Sequence, residues 1–346
     1  MKPRALRYAT CIAAVGLMGV AACSSSSSSS VGGSSGGDSS SATAPAAAKF
    51  DHNQLTIIIP SSPGGNLDTN VRLLQPALQN ALGATVIVQN NAVGSGLGAA
   101  QQLLQMGSDC SQIIANNIPA ILYNIKKNPS TIQSDEFEPV ANILTDYGTI
   151  QVQKNSKWKT FSQFIADAKA NPGKISISVA STVVSNYQGM LDLEKAAGVK
   201  FNIVPFTGGG PARTALLGGQ VDATASNIFE SLSIASKTTV LAVQQSDNKW
   251  PSQTENAPTM SSALGVTVPS SSTLYGLFTS SKCKSSNPGD FQAIENAVGA
   301  ASKDTSFTSQ LQKLGTLPSL DYMDASQFSG AISPIAKEIG VQPLGG

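Results

Sequence analysis

A single histidine, His52, occurs in the whole sequence, and it lies far along the chain from every glycine-rich segment. No Cys-x-x-Cys pair is present, and Gly-x-Ser-x-Gly occurs only within the Ser/Gly run at 32–37, where no strand-to-helix elbow is expected. That removes the usual frameworks of a structural metal site and of a serine hydrolase. Acidic residues beside the glycine-rich segments are few: Asp68 and Asp222, with Asp192 on a helix. General acid–base work needs histidine or paired carboxylates, and neither pattern is offered. No Lys-Ser or Lys-Thr follows the glycines, so a phosphate-binding P-loop is absent as well. Basic residues do not cluster. Without Lys2, Arg4 and Arg7 the chain has 19 basic residues against 21 acidic ones. A near-neutral protein with no basic run after Cys23 lacks the face that nucleic-acid phosphates demand. These features argue against an enzyme, a metal, a cofactor and a nucleic-acid partner.

The amino end carries a different message. Lys2, Arg4 and Arg7 precede an apolar stretch from Ala9 to Val20, closed by Val20-Ala21-Ala22-Cys23. The stretch falls short of the about 20 residues that a membrane-spanning helix needs. A short basic start, a short apolar run and small residues before a cysteine make a secretory signal of the lipoprotein type over 1–22, with Cys23 receiving the lipid. From 23 to 48 the chain is mostly Ser, Gly and Ala, with one charge, Asp38. Such a segment buries too little apolar surface to offset its ordering entropy, and reads as a flexible tether. The expected location is extracytoplasmic, at the cell membrane through the lipid. Cys11 leaves with the signal, and Cys23 is the anchor. Cys110 and Cys283 then remain in an oxidising compartment, where a disulfide is expected; two separate buried thiols are the alternative.

The remaining about 300 residues suit two domains. Leu55 to Ile59, Ala84 to Val88 and Gln112 to Ala115 read as buried strands. Val71, Leu74, Leu78 and Leu82 recur between the first two at helical spacing, with Pro76 placed to kink that helix. The pattern restarts with a short strand at Thr149 to Val152. Thr160 is placed to N-cap a helix through about Ala170, which Asn171-Pro172-Gly173 ends. Strands are then expected at Lys174 to Val179, Phe201 to Phe206, Ala223 to Ala225, Val240 to Val243 and Leu274 to Thr279. Helices near Phe291 to Ala301, Ser306 to Leu314 and Ala325 to Ile339 close the chain. Strand–helix alternation implies parallel sheets with helical crossovers, an α/β class.

Four loops can carry binding. Ser61, Ser62, Gly64, Gly65 and Asp68 lie between the first strand and the first helix, at the carboxyl end of a parallel sheet, where ligands bind. Two glycines there allow close backbone approach, and the helix start offers unpaired N–H groups to a carboxylate. An ordinary tight turn has the same composition. Val93-Gly94-Ser95-Gly96-Leu97-Gly98 follows the second strand, and its glycines also suit close packing. Ser181, Thr182, Ser185 and Asn186 follow Lys174 to Val179, with Ser185 placed either to cap a helix or to face a ligand. Thr207, Gly208, Gly209, Gly210 and Pro211 repeat the first layout, with Pro211 placed to open a helix and Gly218-Gly219 to end it. Arg213, in the first turn, is placed to reach a second carboxylate or else to be solvated.

Here a family resemblance enters. LTIIIPSSPGGNLDTNVRLL, ATVIVQNNAVGSGLGAA, NPGKISISVAS and VPFTGGGPARTALLGGQVDA stand in order and at matching separations. They resemble the substrate-binding proteins of tripartite tricarboxylate transporters, the Bug family, over about Leu55 to Ile339. The resemblance implies a two-domain periplasmic-binding-protein-like (type II) fold with the ligand cleft between domains, here 49–145 with 271–346, and 146–270. It also implies capture of a small carboxylate by domain closure, through backbone amides, hydroxyls and water, and delivery to membrane subunits of a secondary transporter by a monomer. A sensor that presents its ligand to a signalling receptor would use the same closure. Asn116, Asn117 and Asn227 join the four loops as expected cleft residues. Family members usually have small residues where Asn116-Asn117-Ile118-Pro119 stands, and a glycine-containing loop where Ser181 to Asn186 stands. The second glycine-rich loop is one residue shorter here. In this fold the strand at Leu274 to Thr279 returns antiparallel beside the third, which brings Cys110 and Cys283 level at the edge opposite the cleft.

If Cys23 is the anchor, Cys23→Ala leaves the chain unlipidated, retained as precursor or released. Intact-mass measurement and membrane fractionation check this. A variant with wild-type mass in the membrane fraction would refute it.

Overall fold

The computed structural model describes residues 48–345, with the side chain of Ser95 left aside. The signal, the tether and Cys23 lie outside the described residues. Strand β1 (Gln54–Ile59), helix α1 (Asn66–Leu82), β2 (Thr85–Asn90), α2 (Leu97–Gln105), β3 (Gln112–Ile118) and α3 (Ala120–Lys127) form the first α/β run. Next come β4 (Phe137–Gln153), α4 (Phe161–Ala170), β5 (Ser176–Val179), α5 (Ser185–Ala197), β6 (Asn202–Pro205), α6 (Gly209–Leu217), β7 (Ala223–Asn227), α7 (Ile228–Leu232), β8 (Thr238–Gln244) and α8 (Met260–Leu264). The chain ends with β9 (Ser272–Ser280), α9 (Ser281–Ser286), α10 (Pro288–Lys303), α11 (Thr305–Lys313), β10 (Leu320–Met323) and α12 (Ala325–Ile339).

The strands run β2-β1-β3-β9-β4-β7-β5-β6, with β8 and β10 also pairing with β4. Strands β1, β2 and β3 are parallel, as are β5, β6 and β7. Strand β4 belongs to both halves. From Phe137 to Tyr147 it pairs with β9; from Gly148 to Gln153 it pairs with β7 and β8. The sequence reading found only its last part. Pro139, Asn142 and Asp146 interrupt the apolar pattern, and the pairing with β9 shifts register twice, just after Pro139 and just after Asn142.

Period-two alternation divides the core of the first half. Leu55, Ile57 and Ile59 face one cluster with α1 and α10, while Ile58 faces another with α2, α3 and α12. The second half has its own cluster around Ile150, Phe161, Phe164, Ile177 and Leu193. Helix α1 runs through Pro76, which lies on the solvent face, so the missing backbone bond is left to water. Helix α6 begins at Gly209, two residues before Pro211. Proline is tolerated throughout a first turn, because its nitrogen has no intrahelical acceptor there.

Strand β9 lies antiparallel to β3, with Ile114 opposite Phe278. Cys110 stands just before β3, Cys283 sits in α9 just after β9, and the two form a disulfide with their Cα atoms 5.2 Å apart. The bridge closes a loop of 173 residues that contains the whole second half. Replacing both cysteines by serine should cost about 3–5 kcal/mol by the chain-entropy argument. Urea unfolding of the non-reduced protein and the double variant measures this. Two thiols that alkylate without reductant would show that the bridge is not formed.

Candidate functional site

The loops that end at the carboxyl edges of the parallel strands share a local feature. Helices α1, α2, α3, α5 and α6 begin there, and none has a side-chain cap among the described residues. Five of the other helices are capped, α4 by Thr160, α8 by Thr259, α9 by Ser280, α11 by Asp304 and α12 by Asp324, while α7 and α10 have no side-chain cap. An uncapped helix start keeps its N–H groups and positive end of the dipole for another acceptor.

Asp68 organises the first loop. Its carboxylate accepts from the Gly64 N–H (2.8 Å), Arg72 Nε (3.0 Å) and Asn90 Nδ2 (2.9 Å). Burial raises the proton affinity of this carboxyl, but Arg72, the Gly64 N–H and Asn90 together hold its pKa below the ordinary value. Gly64, at φ +80°, is the residue whose conformation demands glycine. Gly65 is the N-cap at φ −75°, and an added Cβ would meet only the Ser62 carbonyl, at 3.6 Å. The next loop reads differently. A Cβ on Gly96 would lie 2.8 Å from Pro60, and one on Gly98 2.9 Å from Val93, so close packing accounts for both glycines.

A chain of buried polar groups links the first loop to the second half. Asn66, the first residue of α1, donates to Tyr275 Oη (3.2 Å), and Asn227 Nδ2 donates to the same oxygen (3.4 Å) and to Thr273 Oγ1 (3.1 Å). Thr273 in turn shares a 2.5 Å hydrogen bond with Ser185 at the start of α5. Ser185 therefore does not cap its helix; Val184 holds that position. Burial pushes the Tyr275 phenol well above its usual pKa, with the negative charges of Asp146 and Glu230 adding to it, so the phenol stays protonated. Asn117 lies opposite Tyr275 across β3 and β9. Ser61 Oγ, Asn117 Oδ1, Asn186 Oδ1 and Asn227 Oδ1 are buried without a hydrogen-bond partner among the described residues. Asn116 is also buried, its Oδ1 accepting from the Asn117 N–H. Ser62, Thr182 and Thr207 are exposed in their loops, and Ser181 Oγ accepts from the Val183 N–H.

In the fourth loop, Gly208 is the N-cap of α6. Arg213 is mostly buried; its Nη1 lies 3.1 Å from Glu230 Oε1 as an ion pair and has no hydrogen bond among the described residues. Sequence reasoning did not find Asn66, Asp146, Glu230, Thr273 or Tyr275. The only signal was the alternation of Thr273 and Tyr275 on one face of β9. Asp222 and His52 lie elsewhere: Asp222 bonds to Ser176 at the opposite end of β5, and His52 lies 3.3 Å from Asp290. No group of three or more potential metal ligands occurs among the described residues.

The fold matches that of MatC from Rhodopseudomonas palustris with bound malate, at TM-score 0.70 and 20% identity, covering 84% of this chain and 98% of that one. A second R. palustris protein, solved with adipate, matches at TM-score 0.68 and 20% identity over the same shares. This is the two-lobed α/β fold of periplasmic binding proteins, with the cleft between lobes. The pattern described as "Tripartite tricarboxylate transporter family receptor" matches residues 70–334, and the chain belongs to that family, one of receptors and not of enzymes. A protein encoded in the TAR-I ttuE-ttuC' intergenic region of Agrobacterium vitis is 33% identical over 186 residues, 52% of each chain. The chain spans about half to two-thirds of the length of the curated relatives it matches.

Asp146 sits where β4 passes between the lobes, 1% exposed, accepting from the N–H groups of Tyr147 (2.9 Å) and Phe229 (3.2 Å). Burial pushes its carboxyl up to about 8, against the N–H donors that pull it down. The unfolded carboxyl titrates near 3.8, so between that pH and about 8 the folded state holds the proton more tightly. Stability should therefore fall as pH rises through this window, by on the order of a few kcal/mol. Asp146→Asn removes this dependence. Urea midpoints at pH 5 and pH 8 test it: the wild type should lose ground to the variant as pH rises, and the reverse trend would mean that the N–H donors outweigh burial.

Proposed function

We propose that this protein is an extracytoplasmic solute-binding lipoprotein. It captures a small carboxylate in the interlobe cleft and delivers it to membrane subunits of a tripartite tricarboxylate-type transporter. The observation that carries the reading is the pair of uncapped helix starts that face each other from the two lobes, α1 from one and α5 from the other. Unpaired N–H groups at a helix start bind carboxylates without a cationic side chain. Malate and adipate in the two R. palustris structures support the ligand class.

Delivery follows from closure. The lobes 49–145 with 271–346, and 146–270, would rotate about the two crossings of β4 and β9, where the Gly148 N–H bonds to Ser271 O and the Ser271 N–H to Gln244 O. The protein works as a monomer, and the lipid on Cys23 keeps it at the membrane, where its subunits wait. No helix among the described residues is long and apolar enough to cross a membrane.

Gly65→Val tests the site. At an N-cap, a branched side chain covers the N–H groups that would bind the ligand, while the backbone conformation there suits any residue. Calorimetry on the mature protein, with a ligand found by a thermal-shift screen of carboxylates, should show at least a tenfold loss, about 1.4 kcal/mol, while the fold persists. Gly64→Val, by contrast, should lower both affinity and stability. Unchanged affinity in Gly65→Val would remove this loop from the site.

A further inference from the structure

The second lobe already holds a carboxylate of its own at the start of α6. Glu230, on α7, reaches back over the fourth loop. A Cβ on Gly209 would lie 2.2 Å from Glu230 Oε1 and 2.8 Å from Oε2, so the carboxylate rests directly on the glycine backbone. No other residue fits at 209 while Glu230 stays there. The same carboxylate lies 3.1 Å from Arg213 Nη1, and both side chains are mostly buried, 15% and 19% exposed. Glu230 thus occupies the place that a ligand's second carboxylate would take.

The other arginine is also engaged. Arg72 and Arg213 are the only arginines after position 7. Arg72 is held by Asp68 and Asn90, as Arg213 is by Glu230. Arg213 Nη1 meets Glu230 Oε1 as an ion pair, without a hydrogen bond, and beside that pair the second lobe presents an acceptor. Asn227, immediately before α7 and 6% exposed, has its Nδ2 taken by Thr273 and Tyr275, and its buried Oδ1 has no partner among the described residues. A carboxylate and a carboxamide oxygen repel a second anion and receive a donor.

We infer that Glu230 determines specificity, closing the second lobe to a second carboxylate, so that the protein prefers monocarboxylates bearing a hydrogen-bond donor at the far end over dicarboxylates. The inference rests on the carboxylate reading above and narrows it. Like charges juxtaposed across a closed interface discriminate strongly between otherwise identical ligands.

Isosteric pairs separate the two classes: succinate against its monoamide succinamate, and adipate against adipamate. Each pair keeps length and shape and exchanges one carboxylate for an amide donor. Calorimetry on the mature protein should show at least one monoamide binding tenfold or more tightly than its dicarboxylate. Glu230→Gln, which keeps the shape and removes the charge, should narrow or reverse that ratio by tenfold or more as Arg213 is released. Adding Arg213→Gln to that variant should cancel the gain in dicarboxylate affinity. A wild type that binds the dicarboxylates as tightly as the monoamides overturns the inference without any variant. So does a ratio unmoved by Glu230→Gln. If neither member of either pair binds the wild type or Glu230→Gln, while other monocarboxylates do bind, the donor requirement fails. If no carboxylate binds at all, the carboxylate reading falls and this inference with it.

Discussion

Strand β4 pairs with β9 over its first part and with β7 and β8 over its last, so one backbone segment carries hydrogen bonds of both lobes. The polar network that joins the lobes lies where this strand changes partners. Asp146 and Tyr147 lie at the change, and Ser271 and Ser272 lie beside them on the returning chain. A side chain at this level is near both lobes at once. Asp146, from β4, accepts from the Phe229 N–H at the start of α7. Tyr275, from β9, receives Asn66 from one lobe and Asn227 from the other. A polar group buried at such a place must find its partners across the cleft, because an unpaired one is costly. The network therefore couples lobe orientation to hydrogen-bond satisfaction.

The electrostatics follow a consistent logic. Cationic side chains near the loops are neutralised internally, Arg72 by Asp68 and Arg213 by Glu230. In the proposed site an anion would meet the oriented backbone at the starts of α1 and α5. Such a site binds by direction and close approach, and its charge is dispersed over several N–H groups. The glycines divide accordingly. Gly64 supplies a left-handed turn whose N–H anchors Asp68, Gly209 leaves room for a carboxylate, and Gly96 leaves room for Pro60.

Elements whose identity is local were legible in the sequence. The apolar run Leu55 to Ile59, the Thr160 cap and the stop at Asn171 each act within a few residues, and each stands in the structure where its chemistry indicates. Strand β4 was legible only in part, since its polar positions are explained by partners more than 70 residues away, such as Ser226 and Ser231 for Thr149. The site divides in the same way. Glycine and hydroxyl loops announce themselves by composition. Asn66 with Tyr275 and Arg213 with Glu230 are pairings made by topology, and a single sequence carries no record of them.

The disulfide belongs to the same design. Cys110 precedes β3 and Cys283 follows β9, so the bridge ties these strands at the end away from the glycine loops. The proposed closure about the β4 and β9 crossings would need movement at Gly148 and at Ser271, which precedes β9 while Cys283 follows it. A cross-link at that end fixes the base from which β9 leaves the first lobe and leaves the crossing itself unconstrained. Rigidity and motion are thus separated along one strand: β9 is anchored at its carboxyl end by a covalent bond and by the Ser280 cap of α9, while its amino end carries the exchangeable hydrogen bonds of Thr273 and Tyr275. A ligand that competes for Asn227 would act on the free end alone.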